Sequence, residues 1–149
     1  IQSSKKVILS WTLSPLEICE KYESTAPPLH LRLKSLKLAL ESGWPVRLCI
    51  DPVLFVNGWE EIYDRFIDMV FHEIKGEQLL DVTLGVFRMN KDYFKRIKKR
   101  EIKSDLFYSD YAIESNIVTI PINQRESGLS YLKNRIVNHV SLDRILIWG

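Results

Sequence analysis

Val46–Arg47–Leu48–Cys49–Ile50–Asp51–Pro52 is the stretch whose reading decides the fold. The largely apolar run Val46–Ile50 has the length of a buried parallel strand, and Asp51–Pro52 ends it because proline cannot continue a central ladder. Both flanks are helical. Upstream, Leu29, Leu33, Leu36 and Leu40 fall on one helical face, with Pro27 or Pro28 in the first turn and Gly43 closing the helix. Downstream, past the Asn57–Gly58 turn, Trp59, Ile62, Tyr63, Phe66, Ile67, Val70 and Ile74 keep the same period. Glu60 and Glu61 stand in that helix's first turn, where the dipole favours acids, and Gly76 reads as its stop.

Further out the alternation continues. Val7–Trp11 reads as a first strand stopping at Thr12, Ser14 and Pro15, and Leu79–Phe87 as a third. Asn90 is placed to cap a strongly basic helix over Lys91–Glu101. Asp105–Asn116 is the least regular stretch. Ile117–Ile122 reads as a strand, Leu129, Leu132, Ile136 and Val140 as one helical face, and Arg144–Trp148 as a final strand. Strands alternating with helices imply right-handed crossovers and a parallel sheet, so the class is α/β. We expect one α/β domain over 1–149, with a basic helix in 88–103 and an irregular segment in 104–116. Periodicity leaves open whether the five strands form a doubly wound sheet or part of a β/α barrel. In both, ligands sit at the strands' C-terminal ends, which selects Thr12–Leu13–Ser14, Asp51–Pro52 and Arg88.

Composition bounds the remaining possibilities. The chain has 149 residues and 46% hydrophobic content, enough for a real core. A net charge of +2 does not by itself indicate a polyanion partner. No apolar run approaches the roughly 18 residues of a membrane span, and no signal peptide is visible, so a cytoplasmic protein without a membrane partner is expected. The chain starts at Ile1 rather than Met and reads as a fragment of a longer product. Cys19 and Cys49 have no metal-pair spacing and read as small core residues, so no metal site is assigned. His30, His72 and His139 are too dispersed for a triad or ligand set.

In order along the chain stand Trp11–Thr12–Leu13–Ser14–Pro15, Tyr22–Glu23, Arg32, Gly43–Trp44–Pro45, Ile50–Asp51–Pro52 and Gly58–Trp59–Glu60–Glu61. This pattern, over Val7 to Arg88, resembles the spore photoproduct lyase family. The resemblance implies the second half of a partial β/α barrel. It further implies S-adenosylmethionine as cofactor, cleaved at a 4Fe–4S cluster on a Cys-x3-Cys-x2-Cys loop, and a thymine photolesion in DNA as substrate. That loop is absent from this chain, so the cluster and catalytic competence require an upstream segment, the N-terminal half of the barrel. Which residues are catalytic is not indicated. Thr12 matches a family serine that contacts S-adenosylmethionine, Ser14 shares its strand end, and Asp51 matches a small residue beside the same cofactor. Asp51 departs from lyases carrying alanine there, although an acid can bind a ribose hydroxyl or the methionyl ammonium.

Simpler readings stand beside these. Thr12 could cap local backbone, and Asp51 could serve an Asp–Pro turn. Glu23 and Arg32 read as a pair fixing loop geometry, and Trp59–Glu61 as a packed first turn. Arg88, Lys91, Lys95, Arg96, Lys98, Lys99, Arg100 and Lys103 put eight cations in sixteen residues. Such a cluster is either a solvated helix face or a phosphate-neutralising surface for DNA, with Tyr93, Tyr108 and Tyr111 available to stack. By resemblance Tyr111 falls where the family's lesion-contacting hairpin carries an Arg–Tyr pair, of which only the tyrosine is present. The alternative to an enzyme half is a non-enzymatic nucleic-acid- or protein-binding module on the same scaffold.

Overall fold

The computed structural model describes residues 3–23 and 25–148, so residues 1, 2, 24 and 149 of the expected domain lie outside it. Four strands, β1 (Leu9–Thr12), β2 (Val46–Val53), β3 (Asp81–Val86) and β7 (Ile145–Trp148), form a parallel sheet in the order β1-β2-β3-β7. Helices flank it and the barrel is not closed. A second sheet, β4 (Arg88–Asn90), β6 (Ile117–Thr119) and β5 (Ala112–Glu114), is antiparallel. The helices are α1 (Leu16–Tyr22), α2 (Leu29–Glu41), α3 (Trp59–Glu73), α4 (Lys91–Arg100) and α5 (Ile122–Ile136).

Alternation along β2 sorts the sheet's two faces. Val46, Leu48 and Ile50 are buried while Arg47, Cys49 and Asp51 are half-buried, as expected when successive side chains point to opposite sides of a strand. The apolar face packs against Leu29, Leu33 and Leu36 of α2, Phe66 and Val70 of α3, and Leu129, Leu132 and Ile136 of α5 in one core. Burying a side chain of this size contributes about 1.5–3 kcal/mol. Tyr63 is fully buried, and its hydroxyl accepts from the Leu54 amide at 2.9 Å, which ties α3 to the loop after β2.

Several expectations are corrected. The first strand is Leu9–Thr12, later than Val7–Trp11, because Val7 and Ile8 are exposed and the ladder starts where Leu9 meets Val46. Asp51–Pro52 does not end β2: the strand resumes pairing at Val53↔Val86 after a register shift. Gly76 does not stop α3, which ends at Glu73. A Cβ on Gly76 would lie 2.2 Å from the His139 carbonyl oxygen, so this residue is needed for close backbone approach. Between β1 and Pro27–Pro28 the chain forms a short helix, α1, for which no expectation was made. Ile117–Ile122 does not join the parallel sheet: only Ile117–Thr119 is a strand, antiparallel to β5 through a Ser115–Asn116 turn with φ of 46° and 68°. That turn accounts for the irregular look of residues 104–116, where a 3₁₀ turn at Asp105–Tyr108 is followed by β5. The basic helix covers Lys91–Arg100, with Arg88 in β4 and Lys103 beyond the helix end.

Candidate functional site on the open face of the sheet

All the polar positions of the sheet fall on the face opposite the core. Register places Ser10 beside Arg47 and Arg47 beside Asp81, then Thr12 beside Cys49 and Cys49 beside Thr83. Tiers of inward-pointing side chains from successive strands are how a β/α barrel fills its interior. At the N-terminal end of this face Arg47 and Asp81 form a two-pronged pair, with Nη2 to Oδ2 at 2.7 Å. This pair closes the bottom and leaves its charges satisfied.

The C-terminal end carries the candidate cofactor residues. Thr12 ends β1 with its side chain exposed, and its hydroxyl has no hydrogen bond among the described residues. Asp51 accepts from Arg88, Nη2 to Oδ2 at 2.8 Å and Nη1 to Oδ1 at 3.4 Å. Both lie over Gly85, whose absent Cβ would be 2.7 Å from the Asp51 carboxyl carbon and 2.8 Å from Arg88 Nη1. The half-buried Asp51 carboxylate near the C-terminal end of β2 has thus found a partner, as burial of charge demands. Arg88 and Asp51, 37 residues apart, are brought together.

Ser14 is placed differently from Thr12. It is buried, and its hydroxyl donates to Glu23 at 2.6 Å. Glu23 also pairs with Arg32 at 2.8 Å, and Arg32 Nη2 donates to the Cys19 sulfur at 2.8 Å and Nη1 to the Thr12 carbonyl at 3.3 Å. This network fixes the turn after β1 that presents Thr12. Burial pushes the Cys19 thiol up, with the Glu23 charge acting in the same direction. The cysteine is therefore held as a neutral thiol.

The basic helix rises from the same rim, since β4 begins two residues after β3 ends. Asn90 caps α4, accepting from the amides of Asp92 and Tyr93 at 3.0 and 3.3 Å. Phe94 anchors α4 in an aromatic group with Phe87, Phe107 and Tyr111. Lys95, Arg96 and Lys99 are exposed and Lys91 is half-buried, so the cations share a helix pinned by its single buried ring. Tyr111 is half-buried, with its hydroxyl donating to the Leu106 carbonyl at 2.6 Å. Desolvation pushes its phenol up to about 12. Tyr93 and Tyr108 are exposed, and the Lys98 ammonium sits 4.2 Å from the Tyr108 ring centre. His139 stacks on Phe71, with ring centres 4.4 Å apart.

Cys49, read from the sequence as a small core residue, is instead half-buried on the inner face, where it neighbours Thr83; Thr83 and Gly85 of the same face were not singled out. The signal was the period-two alternation of Arg47, Cys49 and Asp51 within a run read as largely apolar. Among the described residues no group of three His, Cys, Asp or Glu could hold a metal ion. The two cysteines are free and lie on α1 and β2, so the residues present do not fit an iron–sulfur cluster. Among the described residues no helix is long and apolar enough to cross a membrane.

No family model matches the chain, and no curated protein matches it in sequence. In structure it is similar to spore photoproduct lyase. A doubly substituted variant of that enzyme, with bound AdoMet and dinucleoside spore photoproduct, superposes with a TM-score of 0.80 at 14% identity, covering 96% of this chain and 44% of that chain. The lyase complexed with dinucleoside spore photoproduct gives 0.76 at 14% identity, covering 94% and 43%. A singly substituted variant gives 0.78 at 14% identity, covering 94% and 43%. The shared property at this identity is the fold, and the chain spans less than half the length of those lyases. The expected partial barrel of parallel strands with flanking helices is the observed architecture.

Proposed function

We propose that this chain is the cofactor- and substrate-facing half of a spore photoproduct lyase-like radical S-adenosylmethionine enzyme that repairs a pyrimidine photolesion in cytoplasmic DNA. The observation that carries the reading is the uncovered polar face of a four-strand half-barrel, with Thr12, Asp51 and Arg88 on its C-terminal rim, in a fold shared with that lyase. The Asp51–Arg88 pair offers an acid and a guanidinium, complementary to the ammonium and carboxylate of an amino-acid moiety. Thr12 adds a hydroxyl that can donate or accept. Bound S-adenosylmethionine would supply a 5′-deoxyadenosyl group for radical chemistry. This chain's own residues hold and orient it.

The cluster's ligands are assigned to an upstream half of the barrel. The free edge of β1 suits that partner: unpaired strand edges invite a further strand, and Val7 and Ile8, which lead into β1, are both more than 45% exposed. DNA is assigned to the rim through Arg88, Lys91, Lys95, Arg96 and Lys99, with Tyr111 below them. Their contribution is electrostatic and largely independent of sequence.

The test is anaerobic reconstitution of the full-length protein with iron and sulfide, followed by incubation with S-adenosylmethionine. Formation of 5′-deoxyadenosine, lost in a Thr12→Ala/Asp51→Asn variant that still takes up iron, is the expected result. A full-length protein that binds no iron and leaves S-adenosylmethionine intact overturns it in favour of a binding module.

A further inference from the structure

A cavity of about 480 Å³ opens beside the inner face, and neither Thr12, Asp51 nor Arg88 lines it. Its walls come from the end of α1, the loop after β2, the 105–111 segment and the start of α5. Four aromatic rings border it, each positioned by contacts within the protein. Phe55 meets Trp59 edge-on at 4.9 Å and fills the space that Gly128 leaves, where a Cβ would be 2.2 Å from the ring. Tyr22 donates to Asp105 at 2.9 Å. Tyr111 is tethered to Leu106 and packs on Phe87 at 5.0 Å, and Tyr108 lies under Lys98.

Set among these rings, the side-chain amides of Asn57 and Gln124 line the cavity with no hydrogen bond among the described residues. A carboxamide presents one donor group and one acceptor side by side, matching the edge of a nucleobase. Rings already held in place lower the ordering cost of stacking a planar ligand. The volume falls in the range of small-molecule sites. On the lining Lys21 is paired with Asp105, and Asp110 has no ion pair among the described residues, so the wall's net charge is negative and disfavours a phosphate inside, while the cations of α4 are not part of the lining and Lys98 stands over Tyr108. That division of charge suits a nucleotide whose base enters and whose backbone stays on the rim.

We propose that this cavity receives one unpaired nucleobase of a DNA strand, adjacent to the bases presented to the inner face; the assignment rests on the DNA-facing reading above. The site is a preformed slot, with Asn57 and Gln124 reading the base edge and the aromatic walls holding its plane.

The experiment uses the full-length protein and three probes: free 2-aminopurine deoxyriboside, a single-stranded oligonucleotide carrying 2-aminopurine beside a thymine photodimer, and the same oligonucleotide abasic at that position. Quenching of 2-aminopurine and about tenfold weaker binding of the abasic strand are expected, as for loss of one stacked base. The Asn57→Ala/Gln124→Ala variant alters two exposed residues. It should erase that difference while keeping the melting temperature and the salt dependence of strand binding. Equal affinity for the base-bearing and abasic strands, or undiminished discrimination by the folded variant, overturns the proposal. Should no oligonucleotide bind while the free deoxyriboside is still quenched in an Asn57- and Gln124-dependent way, the base slot stands and the DNA reading falls.

Discussion

Arg88 grips Asp51 over Gly85 of β3, Nη2 to Oδ2 at 2.8 Å, in the space that glycine leaves. Both side chains are partly exposed, 42% and 29%, so the pair's worth to stability is at most about 1 kcal/mol. Its proposed role in ligand binding is therefore separable from folding. Asp51→Asn in the full-length protein should weaken S-adenosylmethionine binding at least about tenfold, the equivalent of about 1.4 kcal/mol, in isothermal titration. The urea midpoint should barely move. Gly85→Ala should also weaken binding, with a stability loss of about 1–2 kcal/mol, because the crowded atoms are the ends of two side chains that can swing aside.

The Ser14–Glu23–Arg32 network is a structural clamp, and its loss should show in stability. Arg32 and Glu23 are 14% and 25% exposed, and Arg32 Nε is buried without a partner. Glu23→Ala leaves a guanidinium poorly solvated and should cost about 2–3 kcal/mol in urea unfolding. Glu23→Gln retains a hydrogen-bond acceptor and should cost less.

At Gly76 the obstacle is main chain, not side chain. A Cβ there meets the His139 oxygen at 2.2 Å and its carbonyl carbon at 2.8 Å. Gly76→Ala must push apart the turn after α3 and the segment leading to β7, at a cost of about 3 kcal/mol, read as a lowered thermal midpoint.

The cations of α4 should act additively on nucleic-acid affinity. Replacing Lys91, Lys95 and Lys99 by alanine should weaken binding uniformly across sequences and flatten the slope of log K against log salt by about one per lysine. Asn90→Ala should cost about 1 kcal/mol of stability through loss of the helix cap, without altering that slope.

Tyr111 makes the fold sensitive to alkali. Burial raises its phenol from an ordinary 10.0 to about 12, so between those values the unfolded chain has released a proton that the folded chain retains. Stability contributed by the neutral phenol is full below pH 10 and falls as pH rises towards 12. Tyr111→Phe removes this titration, and its urea midpoint should decline less steeply over that window. Tyr63 is pushed up in the same direction and stays in place as background.

The helices and strands of the parallel sheet were legible because their faces are one-sided. Leu29, Leu33 and Leu36, then Tyr63, Phe66 and Val70, recur at the helical period and are buried as that period requires. Asn90 was legible for a local reason: capping is a contact between residues two and three apart, so its chemistry is written in four consecutive letters. Arg88 and Asp51 were each identified by the rule that ligands gather at strand ends, but their pairing was not.

What the sequence by itself determined is thus the class of fold, most of the strands and helices of its parallel sheet, and the strand ends near which Thr12, Asp51 and Arg88 stand, since these follow from periodicity and nearest-neighbour chemistry. The tertiary structure decided everything that depends on two distant segments meeting. It continued β2 past Pro52, because Val53 finds Val86 across the next strand. It sent Ile117–Thr119 to a separate antiparallel sheet, because the Ser115–Asn116 turn folds it back on Ala112–Glu114 before it can reach β3. It turned Ser14 inward to Glu23 while leaving Thr12 exposed. It gathered Phe55, Asn57, Tyr111 and Gln124 around one cavity. The pairing of Val53 with Val86 and the gathering at the cavity draw on partners tens of residues away, whereas the Ser14–Glu23 contact and the 112–119 hairpin are shorter-range and turn on which partner each segment meets.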